Sequence, residues 1–180
     1  LRKPILEEIL GAASKVSGLS LLIVGGPPKG RSGYSKMIEE LEEMAVEKGA
    51  NAKFTGPLPY SMMSECYTAC NILIVGHYVD KRLRDYAMPK KLLDAMAYKI
   101  PAIVGPYEAR KKIVERYECG YVSDDWVDTL TKLSNDKELR NKMGENGFKA
   151  FKMNYCWELQ EKKLLDVYEN LLEGKSSEEV

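Results

Sequence analysis

Two lysines and one aspartate lie at a predicted helix start near the middle of the chain. Pro89 fits the first helical position, and Lys90 and Lys91 follow it in the first turn. The helix dipole already places partial positive charge at this end, so two lysines there are unfavourable unless an anion binds at the helix start. Asp94 follows one turn later on the same helix face as Lys91. This spacing predicts a phosphate site with a carboxylate beside it; the alternative is a set of solvated surface charges.

Histidine and cysteine residues are too few to predict a metal centre. His77 is the only histidine, and the cysteines are Cys66, Cys70, Cys119 and Cys156. Cys66 and Cys70 lie four residues apart in a helical pattern, where a disulfide would be strained and would close almost no loop. We therefore expect reduced thiols, no metal ion and no cofactor.

The charge balance and hydropathy narrow the class of protein. Among 180 residues, 44% are hydrophobic, and 27 basic residues balance 27 acidic ones. This balance disfavours a protein that coats nucleic acid, so no nucleic-acid partner is expected. The sequence contains no apolar run of about 18 residues that could cross a membrane. We expect a cytoplasmic protein, with peripheral association with a membrane surface left open.

Strand and helix patterns alternate along the chain. Apolar runs bounded by turn residues predict buried strands at 21–24 and 72–75, a short strand at 52–55, and two further strands at 102–104 and 120–122. Apolar and aromatic positions at helical spacing between them, such as Met62 and Tyr67, are expected in the core. From Asp124 onward the pattern is helical, with Asn135 and Glu138 as a capping box and a long amphipathic helix at the end.

These patterns predict an α/β fold, namely a doubly wound Rossmann-like parallel sheet with helices on both faces and a helical C-terminal segment. The domain is predicted over 1–174, and 175–180 as a disordered tail. Ligands of such sheets bind beyond the carboxyl ends of the strands, which here are the loops 25–33, 56–59, 76–88 and 105–109. Such domains normally begin with their central strand, so we expect that strand upstream of Leu1 in a longer protein.

Four motifs occur in a specific order. Residues 21–26 form an apolar run ending in Val-Gly-Gly, and 56–75 contain Gly-Pro-Leu-Pro-Tyr-Ser followed by Cys-Tyr-Thr-Ala-Cys-Asn-Ile-Leu-Ile-Val. Residues 89–104 contain Pro-x-Lys-x-x-Asp-Ala-Met-Ala followed by Pro-Ala-Ile-Val, and 154–168 run from Asn-Tyr-Cys-Trp to a tyrosine. Over nearly its full length the chain resembles the C-terminal, donor-binding domain of a two-domain (GT-B) glycosyltransferase of the group 1, or family 4, type.

The resemblance implies an enzyme that transfers a sugar from a nucleotide-diphosphate sugar with retention at the anomeric carbon and without a metal ion. The donor would lie across this domain. An N-terminal domain of the same protein would hold most of the acceptor, which the family implies is a glycan or lipid-linked molecule at the membrane surface. This chain alone is expected to be inactive.

The resemblance also implies roles for individual residues. Asp94 matches the second of two family glutamates and would bind the ribose. The diphosphate would be held by a basic set: Arg2, Lys3, Lys90 and Lys91. The base would be cradled by the backbone of Gly56, Pro57 and Leu58, unless these residues form a plain turn.

The sequence departs from the family pattern at two positions, one that concerns catalysis and one that concerns the backbone. The first family glutamate falls on Tyr86, and the adjacent Asp85 becomes the candidate carboxylate at the donor sugar. His77 is a second candidate, for proton transfer or ligand contact, although a lone histidine is more often structural. Lys99 replaces the usual glycine before the strand that follows Pro101.

Two other functions stay open at this point. A nucleotide-sugar 2-epimerase of the same fold would need additional carboxylates and histidines. A non-catalytic nucleotide-binding or assembly module is favoured by Tyr86 at the position of the first glutamate.

Overall fold

Helices and short strands alternate in the computed structural model, which describes residues 3–26, 32–76 and 88–172. The strands in these ranges are β1 (Leu21–Ile23), β2 (Ala52–Phe54), β3 (Leu73–Val75), β4 (Ala102–Val104) and β5 (Gly120–Val122). The helices are α1 (Lys3–Ala13), α2 (Ser32–Glu47), α3 (Met63–Thr68), α4 (Lys90–Ala97), α5 (Glu108–Tyr117), α6 (Trp126–Asn135), α7 (Lys137–Asn154) and α8 (Trp157–Leu172), and a 3-10 turn (Tyr60–Met62) precedes α3.

Every strand pair in the described ranges is parallel. β1 pairs with β2, and β4 lies between β3 and β5. The two groups form separate sheets, so β1 and β3 are not hydrogen-bonded to each other. Nevertheless, Leu21 of β1 and Ile74 of β3 pack against one hydrophobic cluster that includes α1.

Helices cover both faces of the sheet that contains β4. Successive residues of this strand point to opposite faces, so their packing partners identify the helices on each face. All three β4 residues are buried. Ile103 packs in a cluster with α1 and α6, whereas Ala102 and Val104 pack in a cluster formed by α3, α4, α5 and α7. The predicted parallel α/β class with helices on both faces is therefore confirmed.

Helix α4 is held by its apolar face. Leu92, Ala95 and Met96 are buried at helical spacing and pack in the same core cluster as β4. The neighbouring helix α7 approaches closely at Gly144, where an added Cβ would lie 2.1 Å from the carbonyl oxygen of Lys99. This packing fixes α4 and leaves its charged face toward solvent.

Several local predictions differ from the structure. Leu22 was predicted in a buried strand, but its side chain is 37% exposed, because it points to the face opposite Leu21 and Ile23, whose side chains pack in the core clusters. Met62, predicted in the core, is 38% exposed. The cap of α7 is Asp136 rather than Asn135, since the Asp136 carboxylate accepts from the amide of Leu139 at 2.8 Å.

The C-terminal helix α8 is amphipathic as predicted, but none of its residues is buried. Trp157, for example, is 65% exposed. Across the described part of the chain, no helix is long and apolar enough to span a membrane. The tail predicted over 175–180 lies outside the described residues.

A charged cluster at the start of helix α4

Helix α4 begins one residue later than the sequence predicted. Pro89 has φ −74° and ψ 125°, which is an extended conformation, and it precedes the helix instead of occupying its first position. Lys90 and Lys91 are therefore the first two helical residues, and both are exposed. No side chain in the described ranges caps this end, and the first amide bonded back to Pro89 is that of Leu92, at 2.9 Å. Two ammonium groups and uncapped amides make this helix end strongly positive.

The side chain of Lys90 is held by a tyrosine from another element. Its Nζ atom donates to the hydroxyl of Tyr60 at 2.7 Å and lies 4.7 Å from the centroid of that ring. The hydrogen bond to Tyr60 raises the pKa of Lys90, and the Asp94 carboxylate raises it further. Lys90 is thus a charged donor beside Tyr60, the first residue of the 3-10 turn.

Asp94 is likewise held by a tyrosine. The hydroxyl of Tyr67 donates to Oδ2 of Asp94 at 2.9 Å. Tyr67 is only 9% exposed, and its ring centroid lies 5.0 Å from that of Tyr98. Burial, together with the hydrogen bond to the carboxylate, raises the pKa of Tyr67 far above its ordinary value, so the phenol stays protonated and acts as the donor.

The segments that follow β1 and β2 meet at Gly25 and Gly56. The amide of Gly25 donates to the carbonyl of Gly56 at 3.1 Å, and the Thr55 hydroxyl donates to the same oxygen at 2.8 Å. Gly56 has φ +66°, a conformation that favours glycine. The Gly56 carbonyl therefore accepts two hydrogen bonds from within the protein, which occupy its two lone pairs.

Lys3 occupies a different environment. Its ammonium donates to the carboxylate of Glu40 on α2 and lies 3.8 Å from Glu7. The hydrogen bond to Glu40 raises the pKa of Lys3. Among the described residues, the structure therefore brings Lys90 close to Asp94 and to Tyr60, which lies four residues after Gly56, while Lys3 joins α1 to α2. Three other predicted site residues lie outside the described ranges: Arg2, His77 and Asp85.

Arg110 is a buried residue that the sequence did not single out. It lies in the first turn of α5, is 0% exposed, and donates from Nη1 to the carbonyl of Gly76 at 3.3 Å. Its guanidinium carbon lies 5.3 Å from the centroid of the Tyr107 ring. Arg110 thus fixes the backbone at the carboxyl end of β3, where the 76–88 loop begins. A charged residue in a charged helix offers no sequence signal for this burial.

The described residues contain no group of three or more histidine, cysteine or acidic side chains placed to hold a metal ion. The cysteines are all free thiols, two of them buried: Cys119 and Cys156. The polar groups at the start of α4 are the ammonium groups of Lys90 and Lys91, the first helix amides and the Asp94 carboxylate.

Comparisons with known proteins agree with this architecture. The family model described as "Glycosyl transferases group 1" matches residues 6–150. The D-inositol 3-phosphate glycosyltransferase of Corynebacterium efficiens is 27% identical over 157 residues, which cover 83% of this chain and 34% of that protein.

Two solved structures share the fold. Sucrose-phosphate synthase from Thermosynechococcus elongatus has a TM-score of 0.77 at 19% identity, and the match covers 94% of this chain and 43% of the synthase chain. HepE of Anabaena, solved in complex with UDP and glucose, has a TM-score of 0.74 at 13% identity, and the match covers 91% of this chain and 44% of the HepE chain. At such identities the structures show the fold alone. The chain spans about a third of the curated relative and less than half of each solved chain.

Proposed function

Because the chain belongs to the group 1 glycosyl transferases, we propose that it binds a nucleotide-diphosphate sugar and forms the donor half of a retaining glycosyltransferase. The observation that carries the proposal is the start of α4, where Lys90 and Asp94 lie one turn apart and are each held by a tyrosine. The solved HepE complex with UDP and glucose supports this class of ligand.

The proposed donor lies with its diphosphate at the start of α4. Lys90, Lys91 and the first helix amides bind the phosphate oxygens through charge-assisted hydrogen bonds. As the sugar leaves, negative charge grows on the diphosphate, and these groups stabilise it in the transition state. Asp94, which accepts but does not donate hydrogen bonds when ionised, binds the ribose hydroxyls. Tyr60 contacts Lys90 and follows Pro57 and Leu58 closely in the chain. We place the base at the backbone of Pro57 and Leu58.

The remaining site residues are assigned from the sequence. Asp85 is proposed beside the donor sugar, and His77 is proposed to contact donor or acceptor. Arg2 and Lys3 are proposed as further diphosphate ligands, but the ammonium of Lys3 would first have to exchange its hydrogen bond to Glu40. Lys90 is therefore the better supported cation.

The proposed full-length protein has an N-terminal domain that holds a glycan or lipid-linked acceptor. This chain spans 34% of the curated relative, which supports the proposal that the full-length protein is longer. We also propose that a parallel strand preceding α1 lies between β1 and β3. Both strands pack against the α1 cluster but belong to separate sheets, which supports a strand position between them.

Binding is tested by calorimetric titration with UDP, GDP, ADP and dTDP. We expect one of them to bind to the native chain, and Lys90→Ala to weaken it. Lys132→Ala is the matched control, because Lys132 and Asp128 form an exposed i,i+4 pair on α6 with a 2.6 Å contact. A folded protein that binds none of the four nucleotides would overturn the proposal.

Catalysis is tested with the full-length protein and the matching nucleotide sugar. Transfer with retention, read from the anomeric signal of the product by NMR, and its loss in Asp94→Ala are the expected results. Nucleotide binding without turnover would instead identify a non-catalytic module, and conversion of the donor at its C2 position would identify a 2-epimerase.

A further inference from the structure

The segment from Tyr60 to Tyr67 contacts two charged residues of α4, Lys90 and Asp94. Tyr60 in the 3-10 turn contacts Lys90, and Tyr67 in α3 contacts Asp94. The two tyrosines differ in burial, since Tyr60 is 77% exposed and Tyr67 is 9% exposed. Tyr67 is therefore the rigid partner, and its hydroxyl has a direction set by the protein core.

The surroundings of Tyr67 explain how its hydroxyl is fixed. The ring belongs to the hydrophobic cluster that contains Leu92 and Met96 of α4, and it stacks at a tilt of 31° against Tyr98. A buried tyrosine hydroxyl requires a hydrogen-bond partner, and Oδ2 of Asp94 supplies it at 2.9 Å. The same α4 helix thus carries the ring contacts and the carboxylate, so the geometry between them is preserved.

A half-buried aspartate without such a partner rotates among several rotamers, and ordering it on ligand binding costs entropy. The hydrogen bond from Tyr67 occupies one acceptor position on Oδ2. An ionised carboxylate has about four such positions, so Oδ1 and the rest of Oδ2 stay available for two adjacent hydroxyl groups.

We propose that Tyr67 is a positioning residue that orients the Asp94 carboxylate toward the two ribose hydroxyls and so makes the site selective for ribonucleotides. This inference rests on the proposed nucleotide function and adds to it a residue that does not touch the ligand. It predicts that the Tyr67 hydroxyl strengthens binding only of ligands that carry the ribose hydroxyls.

The test compares UDP, GDP and ADP with their 2′,3′-dideoxy counterparts in calorimetric titrations. In the unmodified protein the ribose form of the bound nucleotide is expected to bind about tenfold tighter or more than the dideoxy form, as hydrogen bonds to a charged group imply. Tyr67→Phe should weaken the ribose form about fivefold and leave the dideoxy form unchanged, so the ratio falls. Tyr98→Phe alters the other ring of the stacked pair and should preserve the ratio.

The outcomes separate the two proposals. If Tyr67→Phe weakens both forms equally, or neither, then Tyr67 has a structural role only and this inference is wrong, while nucleotide binding stands. If the unmodified protein binds none of UDP, GDP, ADP and dTDP, the proposed function fails as well; if it binds dTDP alone, the selectivity for ribonucleotides is wrong while nucleotide binding stands. Should Tyr67→Phe unfold, 4-fluorophenylalanine in place of Tyr67 fills the volume of the hydroxyl without donating, and the same fall in the ratio is expected.

Discussion

Lys99 allows a direct test of how the end of α4 is built. Its φ is +58°, in the left-handed region, directly after the helix that carries the site. A non-glycine residue in this conformation costs roughly 1–2 kcal/mol relative to glycine. Glycine, however, loses more conformational entropy than alanine on folding, which costs about 0.5–1 kcal/mol. Lys99→Gly should therefore be more stable than Lys99→Ala by about 0.5–1 kcal/mol. In a helix interior the order of glycine and alanine is the reverse.

Both variants lose the same contacts of the lysine side chain. The ammonium lies 2.7 Å from Glu145, with the two side chains 47% and 50% exposed, and 4.8 Å from the centroid of the Phe148 ring. An exposed ion pair contributes about 0.2–1 kcal/mol and an exposed cation–π contact about 0.5–1 kcal/mol. These losses cancel when the glycine variant is compared with the alanine variant, so the difference reports the backbone alone.

Urea unfolding at equal m-values, together with thermal melts, measures this difference. At about 2–4 °C per kcal/mol for a chain of this size, the melting temperature of Lys99→Gly should exceed that of Lys99→Ala by roughly 1–4 °C. Glu118, with φ +48° after α5, should show the same order for its glycine and alanine variants. An alanine variant as stable as the glycine variant at both positions would show that these left-handed residues carry no backbone strain.

Three further changes probe the site and its support. Asp94→Asn should weaken nucleotide binding about tenfold or more by calorimetry, because the amide cannot accept from two hydroxyls as a carboxylate does, whereas Asp128→Asn should leave it unchanged; equal effects would contradict the assignment. Gly144→Ala should lower stability by roughly 1–3 kcal/mol or more in urea unfolding, because the added Cβ would lie 2.1 Å from the Lys99 carbonyl oxygen; an unchanged midpoint would show that α7 does not pack so closely. Burial raises the pKa of Cys119 to about 11 from an ordinary value of 9.0, so the unfolded chain loses its proton first, and stability should fall as the pH rises from about 9 to about 11. Cys119→Ala should show a weaker fall over that interval, and an identical pH dependence would refute this account.

The strands were predictable because their apolar runs are short and bounded by turn residues. The predicted strands at 102–104 and 120–122 match β4 and β5 residue for residue. β1 ends one residue earlier than predicted, and Leu22 is exposed because burial depends on neighbouring elements that composition does not reveal. Pro89 fits both the residue before a helix and its first position, so only the backbone angles distinguish the two.

The site was predictable in part. The helical spacing placed Lys90 and Asp94 together, but their partners are tertiary contacts with tyrosines 30 and 27 residues earlier in the chain. Tyr67 is buried, as its position in the apolar pattern predicts, but that pattern does not indicate which group its hydroxyl binds. Its position in the Cys-Tyr-Thr-Ala motif, shortly before a strand, was the available signal.

Every role proposed for this site depends on the binding of a nucleoside diphosphate at the start of α4. An NMR titration of the isotope-labelled chain with UDP, GDP and ADP tests it most directly, because it reports the location of binding as well as its strength. We expect saturable amide shifts that are largest at Lys90 and Lys91 and extend to Leu58. Shifts centred on another surface, such as the exposed helix α8, or no shifts in the folded protein, would contradict it.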